Sequence, residues 1–229
     1  MIASLTAVSL GLLGSAAYFS PVVWRRRRMN AARMEVTRDR ILALTFDDGP
    51  SGTLTARLLD LLLEYEAPAT FFVLGRNAGR FPHIVDRAVR EGHDIGCHSD
   101  QHLNAWRTLP WRAVSDIDAG YETLSPWVPP DGMFRPPYGK MTLLTYMAIR
   151  RRDAPVLWWT IDSGDTEQQL PSTNQVLDAV RRQNGGVVLL HDLERSQERD
   201  EFVFATTAAL LELAKQESLK ITPLSKLCR

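Results

Sequence analysis

The stretch Ile41-Leu42-Ala43-Leu44-Thr45-Phe46-Asp47-Asp48-Gly49-Pro50 decides how this chain is read. Its apolar run makes a buried strand, and two adjacent carboxylates stand at the end of it. Like charges that close repel, and burial penalises the charged form of each. A chain tolerates such a pair where a cation neutralises it or where one carboxylate works as a base.

Working outward, Thr53 caps a helix to about Glu66, whose leucines at 54, 58, 59, 61, 62 and 63 form a broad apolar face, and Pro68 stops it. Further strands are expected at Ala69–Leu74, His93–Cys97, Met133–Arg135, Pro155–Ile161, Val187–Leu190 and Leu219–Thr222. Helices are expected at Pro82–Arg90, Trp111–Leu124, Thr142–Arg151, Ser172–Gln183 and Phe202–Lys215. Strands that alternate with helices imply a parallel α/β fold, and about seven repeats fit a (β/α)7-type barrel better than an open sheet. In such a barrel the reactive residues gather at the carboxyl ends of the strands. Asp47 and Asp48, His98, Arg135, Asp162 and His191 each follow a candidate strand, so five strands place them at one end.

His98 and His102 are four apart, so on a helical turn both imidazoles lie on one face. With one carboxylate they make a three-ligand set that leaves room for water or substrate, the pattern of a catalytic metal. A lone His-x-x-x-His pair is as well read as two solvated surface histidines; the paired aspartates tip the reading toward metal.

The chain has 229 residues and no net formal charge, which gives no sign of a nucleic-acid partner. Its apolar fraction, 45%, suffices for one sizeable core. The two cysteines, Cys97 and Cys228, have no metal-site spacing, and Cys97 is expected to be a buried free thiol. Trp158 and Trp159 read as core, with one ring free to face a groove.

Residues 1–24 carry no charged side chain, and Arg25-Arg26-Arg27-Arg28 follow at once. About 20 apolar residues span a bilayer. Positive charge after the apolar run, rather than before it, favours an uncleaved, single-pass membrane anchor over a cleaved signal peptide. The arginines then favour the cytoplasmic face for the domain. The expected organisation is an N-terminal membrane helix over 1–24, a basic linker over 25–39 and one catalytic domain over 40–229.

Five ordered segments carry a family resemblance: Thr45-Phe46-Asp47-Asp48-Gly49-Pro50, His98-Ser99-Asp100-Gln101-His102, Arg135-Pro136-Pro137-Tyr138-Gly139, Asp162-Ser163-Gly164-Asp165 and Leu189-Leu190-His191. Together they resemble the motifs of the polysaccharide deacetylases, the NodB homology domain of carbohydrate esterase family 4. The resemblance spans about residues 40–225 and implies a distorted (β/α) barrel. It implies a metal-dependent hydrolase that removes N-acetyl groups from amino-sugar glycans such as chitooligosaccharide or peptidoglycan. By resemblance, Asp48, His98 and His102 hold a divalent metal, usually zinc, with cobalt or manganese as alternatives. Asp47 is then the general base, Arg135 orients Asp47, and the backbone N–H of Tyr138 is an oxyanion donor. His191 is the general acid and Asp162 the carboxylate that pairs with it; Asp165 is assigned no role.

One departure stands out. The family usually has tryptophan after Asp165, where this chain has Thr166. A wider or more polar acyl pocket keeps a second substrate class in view, a lipid-linked amino sugar or another amide. A carbohydrate-binding relative without turnover is the rival of another class, and the presence of every expected catalytic residue weighs against it.

Overall fold

The computed structural model describes residues 24–25 and 27–227. Residues 27–39 are helical (α1), and β1 (Ile41–Asp47) follows, buried along its whole length. β2 (Thr70–Val73) and β3 (Asp94–Cys97) extend the sheet on one side of β1, and β4 (Ile161–Asp162) and β5 (Gly186–His191) on the other. Every pairing is parallel, and the register sets Asp47 beside His191. Continuous apolar strands are what a parallel sheet covered on both faces requires.

The ring closes through one extended segment. Phe134 bridges Cys97 on one side and Val156 on the other, and the chain from Val156 runs on to Ile161, where β4 joins β5. The fourth strand expected over Met133–Arg135 is thus a single bridge, and the fifth is a bridge followed by a short strand. Pro136 and Pro137, which donate no hydrogen bond, end the fourth at once. The expected seventh strand, β6 (Lys220–Ile221), pairs with the first residues of β1 rather than serving as a stave.

Side chains alternate along the strands. Leu42, Leu44, Phe46, Val188 and Leu190 pack outward with leucines of α2 (Leu54–Glu64), whereas Ile41, Ala43, Phe72 and Val187 fill the interior. The outer layer is completed by α3 (Gly75–Arg80), α4 (Pro82–Arg90), α5 (Pro110–Thr123), α6 (Leu143–Arg151), α7 (Thr173–Gln183) and α8 (Gln197–Glu217). Ser172 starts α7 with a reciprocal capping box to Gln175.

Of the basic stretch expected as a linker over 25–39, residues 27–39 form the helix α1. Val36 is wholly buried in the interior cluster, and Trp24 meets Tyr146 of α6 and Trp158 edge-on at 4.9 and 5.1 Å. The helix therefore lies along the part of the wall, residues 155–158, where the staves are reduced to bridges. The membrane segment expected over 1–24 lies outside the described residues except for Trp24. Among the described residues, no helix is long and apolar enough to cross a membrane.

Candidate active site

The barrel interior is layered. Apolar side chains form the floor, and above them lies Arg135, wholly buried, its guanidinium carbon 4.1 Å from the centre of the Phe72 ring. Arg135 donates to Thr45 Oγ1 and Asp47 Oδ1, both at 2.8 Å, and to the carbonyls of Leu157 and Trp158 at 3.3 and 3.2 Å. Burial lowers its pKa, and the Asp47 carboxylate opposes that shift. A buried cation is tolerated only when paired and hydrogen-bonded in this way. The pairing fixes Asp47 through Oδ1 and leaves Oδ2 on the side of His98, 3.7 Å from its Nε2.

Asp48 leaves the strand in a left-handed conformation, φ 74°, which non-glycine residues seldom adopt. Asn77 Nδ2 holds its carbonyl at 2.6 Å. Gly49 must be glycine, because the carboxyl of Asp192 occupies the place of a side chain there.

His98 and His102 do not lie on a helical turn. They stand in a loop in which Ser99 and His102 both have positive φ, 69° and 62°, yet their rings are 5.0 Å apart. The loop is held from α5 by Asp116, whose carboxylate accepts the backbone N–H of Gln101 at 2.7 Å and of Leu103 at 3.1 Å. Sequence gave no hint of Asp116, which looks there like any helix acid.

The metal expectation can be tested on the donors. Asp48 Oδ1 is buried with no hydrogen-bond partner among the described residues, 3.2 Å from His102 Nε2 and 3.5 Å from His98 Nε2. His98 Nδ1 lies 2.7 Å from the Arg135 carbonyl, which can only accept, so Nδ1 carries a proton and Nε2 is the nitrogen turned toward Asp48. Burial pushes the pKa of His102 down to about 4, keeping it the neutral imidazole that a metal ligand must be. One ligand atom from each of the three lies within 4.8 Å of the others, so they fit a divalent cation.

His191 lines the same cleft of about 310 Å³, level with Asp47 on the neighbouring strand. Its Nδ1 is 2.8 Å from Asp165 Oδ1, and Asp165 Oδ2 accepts the His191 backbone N–H at 2.7 Å. The carboxylate paired with His191 is thus Asp165, not Asp162. Asp162 is exposed, and its Oδ1 accepts the N–H of Gly164 two residues on at 3.0 Å, closing a turn. That turn, with Gly164 at φ 72°, carries the chain round so that Asp165 comes back buried against the histidine. Burial by itself would lower the His191 pKa. The hydrogen bond and charge of Asp165, with the charges of Asp48 and Asp47, outweigh it and raise the pKa to about 9. Arg199 of α8 secures the loop by donating to the carbonyls of Asp165 and Glu167.

Tyr138 is half exposed with φ 57°, its ring 4.4 Å from that of His102. Trp159 and Thr166 line the cleft, while Trp158 is buried in the core. Cys97 is a buried thiol whose pKa burial pushes up to about 12. Arg195, which sequence reading did not single out, donates from Nη2 to Asp48 Oδ2 at 2.8 Å.

A buried carboxylate, a protonated histidine and three residues that fit a cation, all lining one cleft, suit a hydrolase that moves protons during acyl cleavage. Comparison with known proteins gives the same class. The sequence model of the family described as polysaccharide deacetylase matches residues 35–154. A peptidoglycan-N-acetylglucosamine deacetylase of Bacillus cereus is 33% identical over 180 residues, covering 78% of this chain and 84% of that one. A chitooligosaccharide deacetylase of Bradyrhizobium is 30% identical over 207 residues, covering 84% and 93%. The structure of a family 4 carbohydrate esterase from Streptomyces lividans, in complex with acetate, superposes with a TM-score of 0.71 at 27% identity, covering 82% and 94%. The chain belongs to the polysaccharide deacetylase family and is a hydrolase of linear-amide C–N bonds.

Proposed function

We propose that the enzyme removes the N-acetyl group from N-acetylglucosamine units of peptidoglycan or a chitin-like oligomer. The observation that carries this reading is the buried Asp48 Oδ1, which has no hydrogen-bond partner among the described residues and faces Nε2 of both His98 and His102, with Asp47 preceding it and His191 level with Asp47 on the adjacent strand. The substrate class comes from what similar proteins act on, a peptidoglycan sugar in one case and a chitooligosaccharide in the other.

Asp48, His98 and His102 would hold the cation, which when bound supplies Lewis-acid polarisation of the amide carbonyl and of water. Asp47, fixed through Oδ1 by Arg135, accepts the proton of the attacking water. The Tyr138 backbone N–H donates to the oxygen that gains charge as the carbonyl carbon becomes tetrahedral. His191, protonated below about pH 9, gives its proton to the leaving nitrogen as the C–N bond breaks. Water and amide become acetate and a free amine. Asp165 keeps the His191 ring oriented and its charge stabilised.

Acetate release by the full chain from N-acetylglucosamine oligomers and from peptidoglycan tests the reading, with added zinc, with chelator and with Asp47→Asn. Release that needs metal and Asp47 supports it; no acetate from either glycan, from folded protein that binds zinc, overturns it. Thr166 on the cleft wall favours a second reading in which another acyl group, such as formyl on a lipid-linked amino sugar, is removed. Formate from such a substrate, with no acetate, would select it. Tethering through residues 1–24 rests on sequence alone, and separating the full chain between membrane pellet and supernatant tests it.

A further inference from the structure

Asp48 offers its two oxygens to two different neighbours. Oδ1 faces His98 and His102 and has no hydrogen-bond partner among the described residues, while Oδ2 accepts from Arg195 Nη2 at 2.8 Å. We propose that Arg195 is a positioning residue for the metal centre, turning Asp48 so that one oxygen is presented to the cation and the other is kept from it. The proposal rests on the reading of Asp48, His98 and His102 as ligands.

The surroundings show how the arginine is delivered. Its loop, which follows β5, is laced to the loop that follows Asp48. Ser51 Oγ donates to the Asp192 carbonyl at 2.6 Å, and Thr55 Oγ1 to Asp192 Oδ2 at 2.7 Å. Glu194 Oε1 accepts the backbone N–H groups of Thr53 and Leu54, at 2.6 and 3.1 Å, at the start of α2. The Arg195 backbone N–H donates to Asp200 Oδ1 in the first turn of α8 at 3.1 Å. The base of the arginine is therefore fixed on two helices, and its side chain closes the junction between the loops at Asp48.

A carboxylate can bind a cation through one oxygen or both. Asp48 also sits in a conformation that few residues adopt, and among the described residues its carboxylate accepts a hydrogen bond from Arg195. Hydrogen bonds to the far side of a ligand commonly govern its orientation and contribute about 10–100-fold to metal affinity. The arginine's own charge acts the other way, repelling a cation. That repulsion is weakened by water, since the Arg195 side chain is 37% exposed. Orientation should therefore outweigh it.

The test compares zinc affinity, by competition with a chelating dye, in the parent protein, Arg195→Met and Arg195→Lys. The visible absorption of each cobalt-loaded protein and the unfolding temperature of each apoprotein are measured alongside. Arg195→Met is expected to bind zinc about tenfold or more weakly. Its cobalt spectrum should change as Asp48 gains the freedom to use both oxygens, and Arg195→Lys should recover part of the affinity. An apoprotein that unfolds at the parent temperature excludes a general loss of structure, and the lysine variant serves as the second probe should the methionine variant misfold. Zinc binding by Arg195→Met as tight as the parent's, or tighter, overturns the proposal, as does an unchanged cobalt spectrum. Failure of the parent itself to bind zinc would overturn the metal reading first, and this inference with it.

Discussion

The two walls of the cleft are built differently. On one, Asp47, Asp48 and His98 extend directly from β1 and β3, and Arg135 follows the bridge at Phe134, so ladder hydrogen bonds set where each side chain emerges. On the other, only His191 belongs to a long strand, and its partner comes from a turn. Residues at strand ends can be placed by counting along a pleat. A turn residue is placed by local φ angles that the sequence does not declare. Asp162 and Asp165 are equally plausible partners for His191 in the sequence, and the Asp162–Gly164 hydrogen bond decides between them.

The largest expected effect is on the first wall. Asp47→Asn keeps the shape of the side chain but cannot accept a proton, and kcat should fall by about 10²- to 10⁴-fold. Zinc affinity should stay near the parent value, because Asp47 is not among the three ligands. If kcat fell less than tenfold, or zinc binding were lost as well, the division of labour between the two aspartates would be wrong.

The second wall gives a sharper contrast. Asp165→Asn removes the charge that helps hold the His191 pKa near 9 and leaves at most a weaker, uncharged hydrogen bond, so the pKa should drop toward the ordinary histidine value of about 6.5. A general acid works only while protonated, so kcat/KM is lost as pH rises through that pKa. The alkaline fall should begin near pH 9 in the parent enzyme and closer to neutrality in Asp165→Asn. The same shift carries stability: the raised pKa stabilises the fold fully below about pH 6.5, and that contribution disappears as pH rises through about 9. Asp162→Asn should leave the pH profile in place. A profile moved by Asp162→Asn and not by Asp165→Asn would restore the pairing expected from sequence.

These contrasts show where sequence was legible. Strands with continuous apolar runs were placed to within a residue or so, because burial on both faces leaves no other reading of Leu42-Ala43-Leu44 or Val187-Val188-Leu189-Leu190. His98 and His102 were paired by a helical spacing that does not exist; two left-handed residues bring them together instead. Asp116 and Arg195 gave no signal, since each acts through a contact remote in sequence. α1 did leave a trace. Met29, Ala32 and Val36 recur at three- and four-residue spacing and are, with Glu35, its less exposed positions, but arginines and exposed residues between them disguise the stripe as a basic linker.

That helix supplies the smallest predicted effect on catalysis and a separate one on stability. Val36 is wholly buried among Ile41, Ala43, Phe72, Val187 and Leu224, at the end of the barrel away from Asp47 and His191. Val36→Ala removes about two methylene equivalents at roughly 0.8 kcal/mol each, and the space left behind adds to that, so unfolding free energy should fall by about 2 kcal/mol. The site at the opposite end of the strands is touched by none of this, and kcat/KM should stay within about twofold of the parent. Urea denaturation and steady-state kinetics on the same preparation decide it. A loss below about 0.5 kcal/mol would mean that α1 rests on the barrel without contributing to its core. A large loss of activity with stability unchanged would mean instead that the helix acts on the cleft, through the Arg25 guanidinium that stands 5.2 Å over the ring of Trp159. Either result would redraw the boundary between the floor that holds the barrel together and the rim where the chemistry is done.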